Sequence, residues 1–328
     1  MKVLNQLGWR NYSSTLENLN DYGQVGRVRR VDRGEADVLT EEGDVRVASD
    51  SQRSPTGLAP ATGDWVKVID DPDVGLRIAE ILPRYSAIVR RDPAEVEKEQ
   101  VLVSNIDYVG ITCSADRPAN IAKVERFLVL AQGSGATPLF IMAKVDQGLT
   151  EEWKQILQQI KDVMTIETSA ITGQGIDQIK TLISADHSLV LLGESGVGKS
   201  TLVNVLVGET VQETTAVRNR DSKGRHTTVA RELIILPTGG VLIDTPGIRG
   251  IGLWDARNAV EQVFSEISEL TSECRFTDCT HQVEPDCAVQ AAVQVGKLDK
   301  QRLDRYFRLK NELDEQEERL AVQRRKSR

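Results

Sequence analysis

The chain has 328 residues, enough for two or three domains of ordinary size, and its 40% apolar and 4% aromatic content points to a core of Val, Leu and Ile. A net charge of −8, from 41 Lys and Arg against 49 Asp and Glu, argues against a protein that coats nucleic acid by bulk positive charge. No apolar run approaches the ~20 residues of a membrane helix, and the start MKVLNQLGWRNYSS lacks a signal peptide's apolar stretch and cleavage site. The expectation is a cytoplasmic monomer that meets neither membrane nor DNA.

Up to about residue 85, short alternating segments such as Val25–Val28, Val45–Val47 and Asp64–Val68 are punctuated by glycine. Period-two alternation with glycine turns predicts a small antiparallel barrel. A five-stranded OB-like barrel is the natural candidate, and periodicity alone does not separate it from an SH3-like one. Arg27, Arg29, Arg30 and Arg33 here, and Arg324, Arg325, Lys326 and Arg328 at the far end, are local basic clusters, read first as solvated faces.

From 86 to 254 the pattern changes. Apolar runs at Ile106–Thr112, Pro138–Ala143, Met164–Glu167, Ser188–Leu192, Glu232–Leu236 and Val241–Ile243 alternate with helical stretches at Ile121–Gln132, Glu151–Lys161 and Ile176–Ile183. Such alternation predicts a mainly parallel, doubly wound α/β sheet. The charged segment Arg90–Gln100 reads as a linker, and Cys113 as a small hydrophobe in a buried strand.

Within this region Gly193-Glu194-Ser195-Gly196-Val197-Gly198-Lys199-Ser200 is a complete GxxxxGK[ST] loop. An apolar strand precedes it and a helix beginning at Thr201 follows, the context in which backbone N–H groups curl around a β-phosphate at a helix N-terminus. Lys199 is expected on the β- and γ-phosphates and Ser200 on Mg²⁺. Val241–Ile243 then delivers Asp244-Thr245-Pro246-Gly247, an acid for a Mg²⁺-bound water followed by a glycine amide that senses the γ-phosphate. Between the two motifs, Gly224-Arg225-His226-Thr227-Thr228 offers a threonine that closes on Mg²⁺ and the γ-phosphate, with Thr228 preferred to Thr227.

A GTPase also reads its base. Downstream of Gly247 the one near match is Gly296-Lys297-Leu298-Asp299, in what reads as a helix. Upstream, Leu139–Met142 delivers Ala143-Lys144-Val145-Asp146 at a strand end, and Thr168-Ser169-Ala170 follows another apolar strand. Asp146 can accept from the guanine N1 and N2 donors, Lys144 can lie along the base, and the Ala170 amide can donate to O6. The base-reading segments therefore precede the phosphate segments, a circular permutation that leaves the packing intact because only the termini move.

After 255 the chain turns helical and charged, with an amphipathic stretch at Leu298–Leu320 that docks through Leu303, Phe307, Leu309 and Leu313. Cys274, Cys279, His281 and Cys287 crowd into fourteen residues. Three thiolates and one imidazole suit one tetrahedral Zn²⁺ per chain, a structural site with no open position. The expected layout is a barrel over 1–85, a permuted GTPase over 86–254 and a mainly helical zinc-binding domain over 255–328.

Permuted motif order, GESGVGKST, GRHTT, DTPG and Gly63-Asp64-Trp65-Val66 together resemble the RsgA (YjeQ) family of small-ribosomal-subunit assembly GTPases. The resemblance implies an OB domain that binds RNA and a zinc domain. It implies as partners the 30S subunit and its 16S rRNA, and GTP hydrolysis that is slow alone and faster on the subunit late in its maturation. Family members usually carry Asn where this chain has Ala143, an Asn that ties the base to the phosphate loop. Its loss predicts several-fold weaker nucleotide binding. The position of the water-orienting Gln of other GTPases is Ile248 here, so another group must serve. His226 is the candidate, against the alternative that it only contacts the ribosome or packs. A P-loop ATPase is disfavoured by Asp146 and Ser169-Ala170, and a divergent RNA-binding paralogue with weak or vestigial hydrolysis is the alternative that Ala143 keeps open.

Overall fold

The computed structural model describes residues 2–14, 24–49, 58–91, 99–160, 162–184, 186–208, 231–244 and 256–326. They form two compact units. The first comprises Met1–Val89, Val101–Ala119 and Ser134–Ile251, and the second Arg90–Gln100, Asn120–Gly133 and Gly252–Arg328.

In the first unit, β1 (Gln24–Val31), β2 (Glu35–Thr40), β3 (Gly43–Ala48), β4 (Trp65–Asp71) and β5 (Gly75–Ile81) close a barrel in the order β1-β2-β3-β5-β4. β1 pairs antiparallel with both β2 and β4, so no edge is left open, the OB-like arrangement expected. Alternate residues fill the interior: Val28, Val38, Val47, Val66, Val68 and Ile78 are all buried. Two short helices, α1 (Lys2–Gln6) and α2 (Trp9–Ser13), set the rings of Trp9 and Tyr12 against Trp65 of β4.

A buried polar clasp holds this barrel to the strand ends beyond it. Gly63 turns with φ of 96°, and a Cβ there would fall on the carbonyl oxygen of Ser104, so only glycine fits. Asp64 is wholly buried and accepts from the Ala61 amide at 2.7 Å, from Arg84 Nε and Nη2 at 2.6 Å each, and from the Ser104 hydroxyl. Arg27 belongs here too, not to the basic surface expected of it. It is 2% exposed, donates to the carbonyls of Leu7, Gly63 and Asn105, and lies over the Trp65 ring. Its neighbour Arg29 reaches outward to Asp44 and to Glu232 at 2.8 and 2.7 Å.

The same unit contains a six-stranded sheet. Its order is β10 (Met164–Thr168), β9 (Thr137–Ala143), β8 (Tyr108–Ser114), β11 (Ser188–Leu192), β13 (Val241–Asp244) and β12 (Glu232–Ile235). All neighbours run parallel except β12, which is antiparallel to β13. β11 is buried along its whole length, which is why Ser188–Leu192 reads as an unbroken apolar run. Helices α4 (Glu151–Gln159), α5 (Ile176–Ile183) and α6 (Lys199–Val207) accompany the sheet, with Ile179, Ile183, Leu202 and Leu206 in its core. Cys113 lies in β8 but is only half-buried. The ends of the expected linker pair as strands β6 (Ala87–Arg91) and β7 (Glu99–Ser104).

The second unit is helical. It joins α3 (Ile121–Gly133) to α7 (Arg257–Val263), α8 (Ser265–Ser272), α9 (Ala288–Gln294) and α10 (Lys300–Lys326). Val129 of α3 shares a buried core with Phe264, Ile267, Val289, Leu303 and Leu313. Within it Glu125 is 0% exposed and accepts from Arg302 Nη1 at 2.8 Å and Arg305 Nε at 2.7 Å, while Arg302 also lies over the Phe264 ring.

Asp64 gives the first test. Replacing it by Ala strands the Arg84 guanidinium and two further donors, the Ala61 amide and the Ser104 hydroxyl, and removal of one partner from a buried pair costs about 3–5 kcal/mol. Chemical denaturation of Asp64→Ala should show a loss of that size, and a variant as stable as the parent would mean that the clasp contributes little.

Candidate nucleotide site and metal centre

The sequence-assigned nucleotide residues among those described gather at one edge of the sheet, where the parallel strands end. Such carboxyl ends are where open α/β sheets bind ligands. β11 runs out into Gly193, whose φ is 149° and where a Cβ would fall on the carbonyl oxygen of Thr112 in β8. Glu194 and Ser195 are exposed, Val197 is buried beneath the loop, and Gly198 turns with φ of 107° to begin α6. Lys199 Nζ donates to the carbonyls of Gly193 and Glu194 at 2.7 Å each, which draws its charge into the curve of the loop. Ser200 follows in the first turn of α6, and the exposed Thr201 sits beside it. The N-terminal dipole of α6 adds positive potential there.

The base-reading candidates lie on the neighbouring strands. Ala143 ends β9, directly opposite Thr168 of β10 and Ser114 of β8. The next residue, Lys144, is left-handed with φ of 60°, and Val145–Gln147 make one 3-10 turn that leaves Asp146 exposed. An exposed carboxylate above a strand end has its lone pairs free for a base edge. Ser169 is fully buried and braces the partner loop, accepting from the amides of Ile171 and Thr172 at 3.3 and 3.1 Å. That bracing leaves Ala170 exposed. Gly175 is required below it, since a Cβ there would meet the carbonyl oxygen of Glu167.

Ala143 is buried against the phosphate loop: a Cβ built at Gly198 would lie 3.7 Å from its methyl. Lys144 Nζ donates to Asp116 Oδ2 at 2.7 Å and to the Gly196 carbonyl at 3.3 Å. Asp116 in turn accepts from the Ser114 hydroxyl. Burial pushes the Asp116 carboxyl up, but the Lys144 ammonium and the Ser114 hydroxyl outweigh it and hold it below the usual range. No motif in the sequence flags Asp116; its proximity to Lys144 comes from the register of β8 and β9.

Asp244 is the last residue of β13, half-buried, and pairs across the ladder with Glu232. Gly247, Ile248, His226, Thr227 and Thr228 lie outside the described residues. The rival near match Gly296–Asp299 is a turn between α9 and α10, not a helix. Its Leu298 is buried in the core of the second unit.

In the second unit Cys274, Cys279, His281 and Cys287 bring their ligand atoms within 4.8 Å of one another. The Cys274 and Cys287 sulfurs are 3.9 Å apart, and His281 Nδ1 is 3.5 Å from each. A tetrahedron with Zn–S of ~2.3 Å and Zn–N of ~2.1 Å has edges of about 3.8 and 3.6 Å, so the set fits zinc. Thr271 Oγ1 sits 3.2 Å from His281 Nε2 and orients the ring so that Nδ1 faces the thiols. Desolvation, reinforced by the thiols of Cys287 and Cys274, pushes Cys279 up to about 11. A cation at the centre is what would let all three ionise together.

A phosphate loop and a base-reading pair of strands on one parallel sheet, with the base-reading strands earlier in the chain, define the class: a circularly permuted P-loop GTPase. Comparison narrows it. The RsgA GTPase family model matches residues 81–254. The small ribosomal subunit biogenesis GTPase RsgA of Streptomyces avermitilis is 45% identical over 297 residues, covering 88% of this chain and 79% of that protein. The protein of the same name from Methanosarcina acetivorans is 37% identical over 303 residues, covering 91% and 82%. Among solved structures, YjeQ from Thermotoga maritima shares the fold with a TM-score of 0.64 at 24% identity, over 88% of this chain and 98% of that one. YloQ, a circularly permuted GTPase, does so at 0.63 and 22%, over 92% and 99%. The chain belongs to the RsgA GTPase family, and membership implies GTP or GDP with Mg²⁺ as its cofactors.

The metal centre gives the second test. Purified protein should carry one zinc per chain, and Cys279→Ser should lose it, read by elemental analysis under reducing conditions. Chelation should lower the melting temperature of the parent and leave that of Cys279→Ser unchanged.

Proposed function

We propose that this chain hydrolyses GTP on the small ribosomal subunit and couples hydrolysis to a late step of that subunit's maturation. One observation carries the reading: the phosphate loop and the base-reading strand ends share one sheet edge in a chain 45% identical to a small ribosomal subunit biogenesis GTPase. The partners proposed are the 30S subunit and its 16S rRNA, met by a cytoplasmic monomer. The three functional segments proposed are 1–85, 86–254 and 255–328.

The roles follow from placement. Gly193, Gly196 and Gly198 let the loop amides point inward, and Lys199 exchanges its two carbonyl partners for phosphate oxygens, a charge-assisted substitution. Ser200 supplies a hydroxyl to Mg²⁺, which neutralises developing charge when bound, and Asp244 orients that ion's water. Asp146 reads the guanine N1 and N2 donors, with Lys144 along the ring and Ala170 at O6. Thr228 and Gly247 sense the γ-phosphate. Ile248 has no group to orient water, so the site is completed on the subunit, with His226 assigned that role. Cys274, Cys279, His281 and Cys287 hold a structural zinc. It supplies no chemistry to the reaction and braces the 274–287 loop.

Steady-state turnover with and without purified 30S subunits tests the reading. Subunits should raise the parental rate at least ten-fold, and Lys199→Ala should abolish turnover in both conditions because it removes the charge that stabilises the transferring phosphoryl. Thr228→Ala should keep GDP affinity and lose most turnover. A parental rate indifferent to subunits would remove the ribosomal reading.

A further inference from the structure

Ala143 brings a methyl group and no polar side chain to the join between the base-reading strand and the phosphate loop. Its methyl group lies 3.7 Å from where a Cβ at Gly198 would stand. Yet the two segments are tied, by a different route. Ser114 ends β8 in register with Ala143 and donates to Asp116. Asp116 accepts from Lys144 Nζ at 2.7 Å, and the same nitrogen donates to the Gly196 carbonyl at 3.3 Å. Left-handed φ at Lys144 directs its side chain along this path. The turn that carries Asp116 is itself fixed, since the Arg117 amide donates to the Ser114 carbonyl at 3.2 Å and the Arg117 carbonyl accepts from Trp153 Nε1 at 2.9 Å.

We propose that Asp116 is a positioning residue for guanine binding in this chain, anchoring Lys144 between the base and the phosphate loop where Ala143 offers no polar side chain. The proposal rests on Ala143–Asp146 being the base-reading segment. Three features favour a role in binding over a surface ion pair. The pair is only about a third exposed, at 31% for Lys144 and 29% for Asp116. Lys144 is shared with the phosphate loop, and Asp116 is held by a strand-end hydroxyl. An ammonium anchored at two points loses less freedom when a base stacks on its stem, and pre-organisation of this kind appears directly in affinity.

A double-mutant cycle on the full chain tests it, with GDP affinity measured by calorimetry in Mg²⁺ for the parent, Asp116→Ala, Ala143→Asn and the double variant. Asp116→Ala should weaken GDP binding about five-fold, the scale of one charge-assisted hydrogen bond partly open to water. In the Ala143→Asn background the loss should fall below about two-fold, because an amide at 143 supplies a second tie and makes the first redundant. A merely structural role would give the same factor in both backgrounds. That result, or no loss for Asp116→Ala, would overturn the proposal. Asp146→Asn runs alongside: a swing from GDP toward xanthosine diphosphate supports the base-reading segment, since an amide can donate to the xanthine 2-oxygen. Unchanged guanine preference would remove that reading and the proposal with it.

Discussion

The nucleotide edge is organised by the way β11 leaves the sheet. At Gly193 the chain turns so tightly over the end of β8 that a side chain would strike the Thr112 carbonyl, and the phosphate loop is closed from that point onward. Lys199 folds back onto the Gly193 and Glu194 carbonyls, and α6 starts beyond Gly198 with its buried face already committed to Leu202, Val203 and Leu206. Because β8 lies beside β11 and β9 beside β8, the same edge also brings Ser114, Ala143 and Thr168 level with one another. Permutation changes which of these residues comes first in the chain. It does not change which strand ends are neighbours.

An acidic protein holds its internal charges by pairing them. Asp64 with Arg84 in the first unit, and Glu125 with Arg302 and Arg305 in the second, are buried carboxylates that would be costly alone. Asp64 also accepts from the Ala61 amide and the Ser104 hydroxyl, and Glu125 is shared between two guanidinium groups, which is what makes such buried carboxylates tolerable. Arg27 achieves the same with neutral partners, since three carbonyl oxygens and a Trp face take the place of a counter-ion.

What was legible in the sequence was local. The phosphate loop, Ala143–Asp146, the Cys and His spacing and the strand–helix alternation each depend on residues within one turn or one strand, and the corresponding elements stand where expected. Contacts between distant segments left no such trace. Arg27 looked like a member of a basic face because charge patterning carries no information about carbonyls that arrive from Leu7 and Asn105. The half-buried setting of Cys113 and the turn at Gly296 escaped for the same reason: neighbours on other elements decide them. Asp116 carries no motif, and only the pairing of β8 with β9 brings it to Lys144.

The company that α3 keeps has a practical meaning for anyone dissecting this protein. By its place in the chain it follows β8 as an ordinary crossover helix, yet its Val129 shares a core with Phe264 and Leu303, and its Glu125 is neutralised by two arginines from α10. A minimal GTPase fragment ended near residue 254 would therefore keep α3 and discard the core partners of Val129 and both arginines of Glu125. The face of that helix that carries Val129 would be bare hydrocarbon beside an unpaired carboxylate, since Glu125 lies one turn away on the same side, a combination that favours self-association over solubility. Permutation moved the termini of the sheet, but it also made the C-terminal helices the custodian of a helix that sequence order assigns to the enzyme.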